Sequence, residues 1–290
     1  MLILNSLLKY LELRSRWKSI FKQIFSNAQT KNIRFGTIIF TMAGNGLRFK
    51  DGGYEDIKPL IKVSGKPMGL ISSKLLPKAL KTVFIFLAES KGIDRFAKIL
   101  KTEFKNPIIL YLKKSTNGQA TTAYLSLKKL KELNVRIFEP ITFAPCDSGV
   151  IFSNQRLLGL LDETDTDIIV WSSRGHVNAI EKPNMYGWIN EANNVIKSIS
   201  VKKPFKNTKK DPIALGIFTF KKIEFFEKPY LALLKKKKTI NGEYYIDSLI
   251  NEAINLGIKC KVFDVSHYVS WGTPKELHEY EYWENIFRAK

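Results

Sequence analysis

The chain has 290 residues, 44% of them hydrophobic and 12% aromatic, with a formal net charge of +20. That composition excludes an intrinsically disordered polypeptide and supports a sizeable buried core. The charge comes mostly from lysine, spread along the chain with clusters at Lys113-Lys114 and Lys235 to Lys238. With no helix-turn-helix, zinc-finger or RRM signature, no specific nucleic-acid partner is expected; the lysines read as solvated faces, with an acidic, phosphate-rich ligand as the sharper alternative.

Two distant cysteines, Cys146 and Cys260, show no CxxC spacing, and only three histidines occur, His176, His267 and His278. A zinc site or a histidine-based triad is therefore not expected, and a reducing cytoplasm is the simple inference for location.

Residues 1–32 read as a helical extension. Leu4, Leu7, Leu8, Leu11, Trp17, Ile20, Phe21, Ile24 and Phe25 recur at three-to-four spacing, with Lys9, Arg14, Arg16, Lys18 and Lys22 between them. The apolar runs fall short of the ~20 residues a membrane span needs, and no secretory leader pattern is present. Such a basic amphipathic helix docks on its own domain, mediates a homo-oligomer, or rests peripherally on an anionic membrane. The periodicity does not choose among these.

From Ile33, strand-like and helical runs alternate: Gly36 to Met42, Thr82 to Leu87, Pro107 to Leu112, Pro140 to Ala144 and Asp167 to Trp171 as strands, with helices near 91–104, 119–132 and 153–161. This alternation predicts an α/β fold with a mainly parallel sheet flanked by helices. Short strands near Gly187 to Asn190, Val195 to Val201 and Ile213 to Phe220 predict a small antiparallel insertion. Residues 33–290 thus read as one domain in two halves, 33–172 with the alternating pattern and 173–290 with the antiparallel strands.

After the first strand come Ala43, Gly44, Asn45, Gly46, Leu47 and Arg48. Glycines after a buried strand let backbone N–H groups approach a phosphate, and Arg48 adds a planar fork suited to phosphate oxygens. The fragment is neither a Walker loop nor a full dinucleotide fingerprint. On its own it is equally a tight turn with a solvated arginine. It is followed by Lys58-Pro59-Leu60-Ile61-Lys62-Val63-Ser64-Gly65-Lys66-Pro67-Met68.

Loop and segment together resemble the signature of the sugar-phosphate nucleotidyltransferase superfamily, whose members carry a Gly-x-Gly-x-Arg loop followed by Lys-Pro-Leu-[apolar]-x-Val-x-Gly-Lys-Pro-Met. Four further segments fall in the family's order: Gly118 to Ala123, Pro145 to Gly149, the run Tyr186-Gly187-Trp188 with Val201 to Pro204 and Ala214 to Phe220, and Glu243 to Asp247 with Trp271 to Leu277. The resemblance covers roughly residues 33–285 and implies a Rossmann-like, GT-A-type sheet. It implies that Arg48 and Lys58 contact a triphosphate, with Ala43, Gly44, Asn45 and Gly46 around it, and that Gly118 and Gln119 read the base. Asp147 would hold Mg²⁺, and Gly187, Lys203, Gly216 and Glu243 would frame a phosphorylated acceptor. In relatives a Glu-Lys-Pro step grips the acceptor phosphate; here Lys203 takes the lysine position and Lys202 replaces the glutamate.

One departure is plain. Ser270 stands where many relatives place a second metal-binding aspartate, two residues before Gly272, so Asp264 or Asp247 would have to compensate, or one metal suffice. The implied reaction joins an NTP to a phosphorylated small molecule, expected to be a sugar 1-phosphate feeding surface polysaccharide. Cytidylyl transfer to a non-sugar phosphomonoester, or a catalytically impaired homologue acting as a binding protein, are the alternatives. A GT-A glycosyltransferase would need an Asp-x-Asp metal motif, for which Asp165-Thr166-Asp167 has the letters but begins a strand rather than ending one.

Overall fold

The protein is described by a computed structural model that covers residues 2–25, 34–44 and 46–288. Helix α1 (Leu2–Phe25) leads to β1 (Arg34–Met42), α2 (Leu47–Asp51), the hairpin β2 (Lys62–Val63) and β3 (Lys66–Pro67), and α3 (Met68–Lys74). Then follow β4 (Lys78–Leu87), α4 (Ile93–Glu103), β5 (Ile108–Leu112), α5 (Gln119–Glu132), β6 (Ile141–Ala144), β7 (Ser148–Ile151), α6 (Asn154–Asp162) and β8 (Ile168–Ser173). The second half holds α7 (Val177–Glu181), β9 (Gly187–Ala192), β10 (Val195–Val201), β11 (Ile213–Phe220), α8 (Glu224–Lys235), α9 (Ile246–Asn255), β12 (Cys260–Asp264), β13 (His267–Ser270) and α10 (Pro274–Arg288).

Nine strands form one sheet in the order β5-β4-β1-β6-β11-β8-β12-β10-β9. Pairings β5–β4, β4–β1, β1–β6 and β8–β12 are parallel, while β11 and β10 run against their neighbours. The sheet is therefore mixed. Strand β1 lies inside the sheet between β4 and β6, where Phe35, Ile38, Ile39, Phe40 and Met42 are all buried, so both of its faces are covered. Ile39 points into a core built with α5, α8 and α9, and Ile38 and Phe40 into a second core that holds Leu70 of α3 and Phe96 of α4, as the period of two requires.

The sequence-predicted antiparallel insertion is not a separate layer. The β9–β10 hairpin extends the main sheet, since β10 pairs with β12 and β9 also reaches β11 through Ile213↔Trp188 and Ala214↔Gly187. Strand edges with free backbone groups are satisfied by joining a larger sheet. In β11 the register shifts between Ala214 and Phe218, and Gly216 adopts φ +72, an irregularity that turns this backbone towards the cleft described below.

The described part of the N-terminal extension runs over Leu2–Phe25; residues 1 and 26–32 of the predicted helical segment lie outside the described residues. Trp17, Ile20 and Phe21 are buried in a third core with Leu277, Tyr280 and Trp283 of α10. Trp17 meets the Tyr280 ring edge-on at 5.9 Å, and Phe21 lies 5.2 Å from the same ring. The apolar face around Trp17 is thus used in docking on the chain's own domain. Among the described residues, no helix is long and apolar enough to cross a membrane.

Candidate active site

The carboxyl ends of parallel strands leave a crevice in open α/β sheets, because the loops there diverge to either side of the sheet. Here a cleft of about 370 Å³ opens where β1 and β6 end. Its wall includes Thr41 at the end of β1, Arg48 on α2, Asp147 after β6, and Gln119 at the start of α5.

Behind Asp147, Lys58 Nζ donates to Asp147 Oδ2 at 2.5 Å and to the Gly272 carbonyl at 3.3 Å, and lies 5.5 Å from the centre of the Phe49 ring. Burial alone would lower the Lys58 pKa, but the Asp147 carboxylate outweighs it and the net shift is upward. Burial likewise pushes the Asp147 carboxyl up, and Lys58, with Arg48 beyond it, brings it below the usual range. Both groups are charged at neutral pH. Asp147 is not a helix cap: it sits between β6 and β7, and its carbonyl accepts from Trp271 N at 2.8 Å.

Gly118 needs its glycine. Its φ is +102, and a Cβ there would stand 2.6 Å from the Tyr244 carbonyl oxygen. The close approach lets Tyr244 N donate to Asn117 O at 2.7 Å and Ala120 N donate to Tyr244 O at 3.0 Å. Two segments more than a hundred residues apart are thereby locked together. Gln119 reaches across the cleft, donating from Nε2 to the Gly216 carbonyl at 3.1 Å.

Of the sequence-predicted residues, Arg48, Gln119, Asp147, Gly187 and Gly216 line the cleft, and Lys58 stands behind Asp147. Ala43, Gly44 and Gly46 form the turn between β1 and α2 without lining it, and Asn45 lies outside the described residues. Glu243 is exposed and accepts from the Tyr245 hydroxyl, so the tyrosine, not the glutamate, faces the cleft.

Lys203 needs a correction. It is exposed and away from the wall, while Lys202 lines it, with Nζ 5.1 Å from the centre of the Tyr245 ring. The backbone decides this: Lys202 adopts φ +57 and its N–H donates to the Tyr186 carbonyl at 3.0 Å, which turns the chain as it leaves β10.

The cleft wall also includes Tyr268, and Tyr186, Asp247 and Glu276, which belong to the matched motifs but carried no individual acceptor role in the sequence. Glu276 Oε1 accepts from Tyr186 Oη at 3.1 Å and Asn178 Nδ2 at 3.3 Å, and Oε2 from Thr273 Oγ1 at 3.0 Å. The Thr273 hydroxyl in turn accepts from Glu276 N at 3.3 Å. Thr-x-x-Glu is capping-box spacing, and that was the sequence signal available for it. Asp247 is buried and its carboxyl presses on Gly187, where a Cβ would come within 2.4 Å of Oδ1. Burial pushes its pKa up to about 6.

Neither carboxylate weighed as a substitute for a second aspartate stands beside Asp147 in a metal cluster. Asp264 is tied to Ser172 Oγ at 2.6 Å and Arg174 Nε at 2.8 Å, outside the cleft. Among the described residues, no group of three or more His, Cys, Asp or Glu side chains could hold a metal. The Asp165-Thr166-Asp167 run is occupied elsewhere: Asp165 pairs with Lys261 at 2.7 Å, and Asp167 accepts from Lys259 N at 2.9 Å.

Comparison with solved structures bears on the fold. The fold resembles a nucleoside-diphosphate-sugar pyrophosphorylase from Vibrio cholerae RC9 (TM-score 0.68, 20% identity, 84% of this chain and 98% of that one). The chain shares the fold of that structure. A UDP-glucose pyrophosphorylase complexed with UDP-glucose superposes at TM-score 0.65 with 14% identity over 88% of this chain and 100% of that one. An inositol-1-phosphate CTP transferase from T. maritima gives 0.64 and 18% over 88% and 97%. No protein-family model matches the sequence, and no curated protein matches it significantly.

Proposed function

We propose that this chain is a nucleotidyltransferase that moves a nucleoside monophosphate from an NTP to the phosphate of a small acceptor. The observation that carries the reading is the convergence of Arg48, Lys58 and Asp147 at the carboxyl ends of β1 and β6, in a cleft that has the base-reading candidate Gln119 on its wall. An acceptor phosphate oxygen attacks the α-phosphorus in line; the bond to the bridging α–β oxygen breaks, and pyrophosphate leaves with that electron pair. No protein nucleophile is needed. Positioning and charge neutralisation supply the acceleration, so cations aimed at the triphosphate are the chemistry to look for.

Arg48 and Lys58 would face the triphosphate. Gly118 and Gln119 would meet the base edge, and Ala43, Gly44 and Gly46 would offer backbone N–H groups. Lys202, rather than Lys203, would hold the acceptor phosphate beside Gly187 and Gly216. The Asp147 carboxylate and the Ser270 hydroxyl are hard oxygen donors; a Cβ at Gly272 would lie 3.4 Å from each. That donor set fits a Mg²⁺ ion carried largely by phosphate oxygens, which would neutralise charge on the triphosphate. Lys58 would then exchange its hold on Asp147 for a phosphate.

The acceptor reading that fits most of the matched structures is a sugar 1-phosphate. Cytidylyl transfer to a non-sugar phosphomonoester stays beside it, because one matched structure is named as an inositol-1-phosphate CTP transferase. Pyrophosphate release decides the matter. CTP, UTP, dTTP, GTP and ATP are each paired, with Mg²⁺, against sugar 1-phosphates, inositol 1-phosphate and non-sugar phosphomonoesters. Release that depends on one pair is the expected result. Silence across the panel together with no nucleotide binding by calorimetry overturns the reading; nucleotide binding without release would instead mark Ser270 as the sign of a binding protein.

A further inference from the structure

We infer that α1 is a brace for the acceptor wall of the cleft: Arg16, acting through His176, fixes the positions of Tyr186 and Tyr268. The inference rests on the cleft being the site proposed above. Arg16 Nη2 lies 3.2 Å from His176 Nδ1. A guanidinium only donates, so Nδ1 accepts and the imidazole proton sits on Nε2. His176 is buried at the start of α7, and its ring meets Tyr268 at 4.9 Å and Tyr186 at 5.8 Å, both near edge-on. Both tyrosines line the cleft.

A second contact runs in parallel. Ser19 Oγ, nearly one turn along α1, lies 3.1 Å from His267 Nε2, and His267 precedes Tyr268 on β13. Trp17 packs edge-on against Tyr280 of α10, the helix that carries Glu276 and, through it, the Tyr186 hydroxyl. Three successive contacts of one helix therefore end on the same two tyrosines. Without Arg16, the buried His176 nitrogen would lose its donor and the ring its fixed orientation. The tyrosines would then keep their packing but not one defined position, and displacements of about 1 Å near a reacting group cost up to about 100-fold.

The full-length Arg16→Met variant tests this, because methionine keeps the stem and the helix propensity while removing the guanidinium; Arg16→Lys serves as the conservative rescue. The expected result is an acceptor KM raised about 10- to 100-fold, an NTP KM within about two-fold, and most of the loss recovered in Arg16→Lys. Amide hydrogen exchange provides a readout that needs no turnover. It should quicken over residues 183–189 and 266–271 and stay unchanged in β1, β4 and β6. Unchanged exchange in those two segments, exchange raised equally throughout the sheet, or an unaltered acceptor KM each overturns the brace. Local quickening in a chain whose wild type neither releases pyrophosphate nor binds nucleotide supports the brace and sinks the catalytic reading instead.

Discussion

The two sides of the cleft are built on different principles. The nucleotide side takes Arg48 from α2 and Asp147 from the link between β6 and β7, beside the ends of the adjacent strands β1 and β6, so strand order brings these two together, and Lys58, ahead of β2, joins them through its ion pair with Asp147. The acceptor side draws Tyr186, Lys202, Asp247, Tyr268 and Glu276 from five separate segments, joined through side-chain contacts, a left-handed residue and a helix cap. The contrast teaches that charge chemistry can be fixed by topology, whereas the shape of an acceptor wall depends on long-range packing.

That difference can be broken experimentally, and the largest effect belongs to the nucleotide side. Asp147→Ala should cut turnover about 1,000-fold in the pyrophosphate assay. It also strands Lys58, whose side chain is 19% exposed, so stability should fall by about 1–3 kcal/mol in a denaturant titration. Arg48→Ala, in a cation that lines the cleft without an ion pair to Asp147, should mainly raise the NTP KM, about 10- to 100-fold.

On the acceptor side the effects should be smaller and should fall on the acceptor KM. Lys202→Ala is expected to raise it about 10-fold, with Lys203→Ala doing less; the reverse order would restore the lysine that the sequence resemblance favoured. Gly187→Ala should cost about 1–3 kcal/mol, because the new Cβ would meet Asp247 Oδ1 at 2.4 Å.

The subtlest effect is a pH dependence of stability. Asp247 has a folded-state pKa of about 6, above its unfolded value, so the folded state binds its proton more tightly. Its contribution is fully present below about pH 4 and is lost as pH rises through 6. Asp247→Asn should therefore gain about 2 kcal/mol relative to wild type on going from pH 4 to pH 7. A constant difference across that range would show that Asp247 titrates normally.

Much of this was legible in the sequence. The run Gly36 to Met42 declared a buried strand, and α5 and β10 start and stop at the predicted residues. The glycine-arginine loop, Lys58 and Asp147 were singled out by the family resemblance of their ordered motifs, and the structure places Arg48 and Asp147 on one cleft wall with Lys58 behind Asp147. Lys202 was not, since which of two adjacent lysines faces the cleft depends on one φ angle and one hydrogen bond to Tyr186. Nor was the fate of α1: its amphipathic period fitted a docked helix, an oligomer contact or a membrane surface.

The sequence by itself thus determined the alternation of strands and helices, the central strand and the charged groups at its end, because local periodicity and turn chemistry act over a few residues. The tertiary structure alone decided that β9 and β10 join the main sheet, that Glu276 and Tyr186 meet, and that α1 lies against α10 with Arg16 on His176. Those outcomes depend on which distant surfaces exclude water against one another, a property of the whole packed chain that no short stretch of residues encodes.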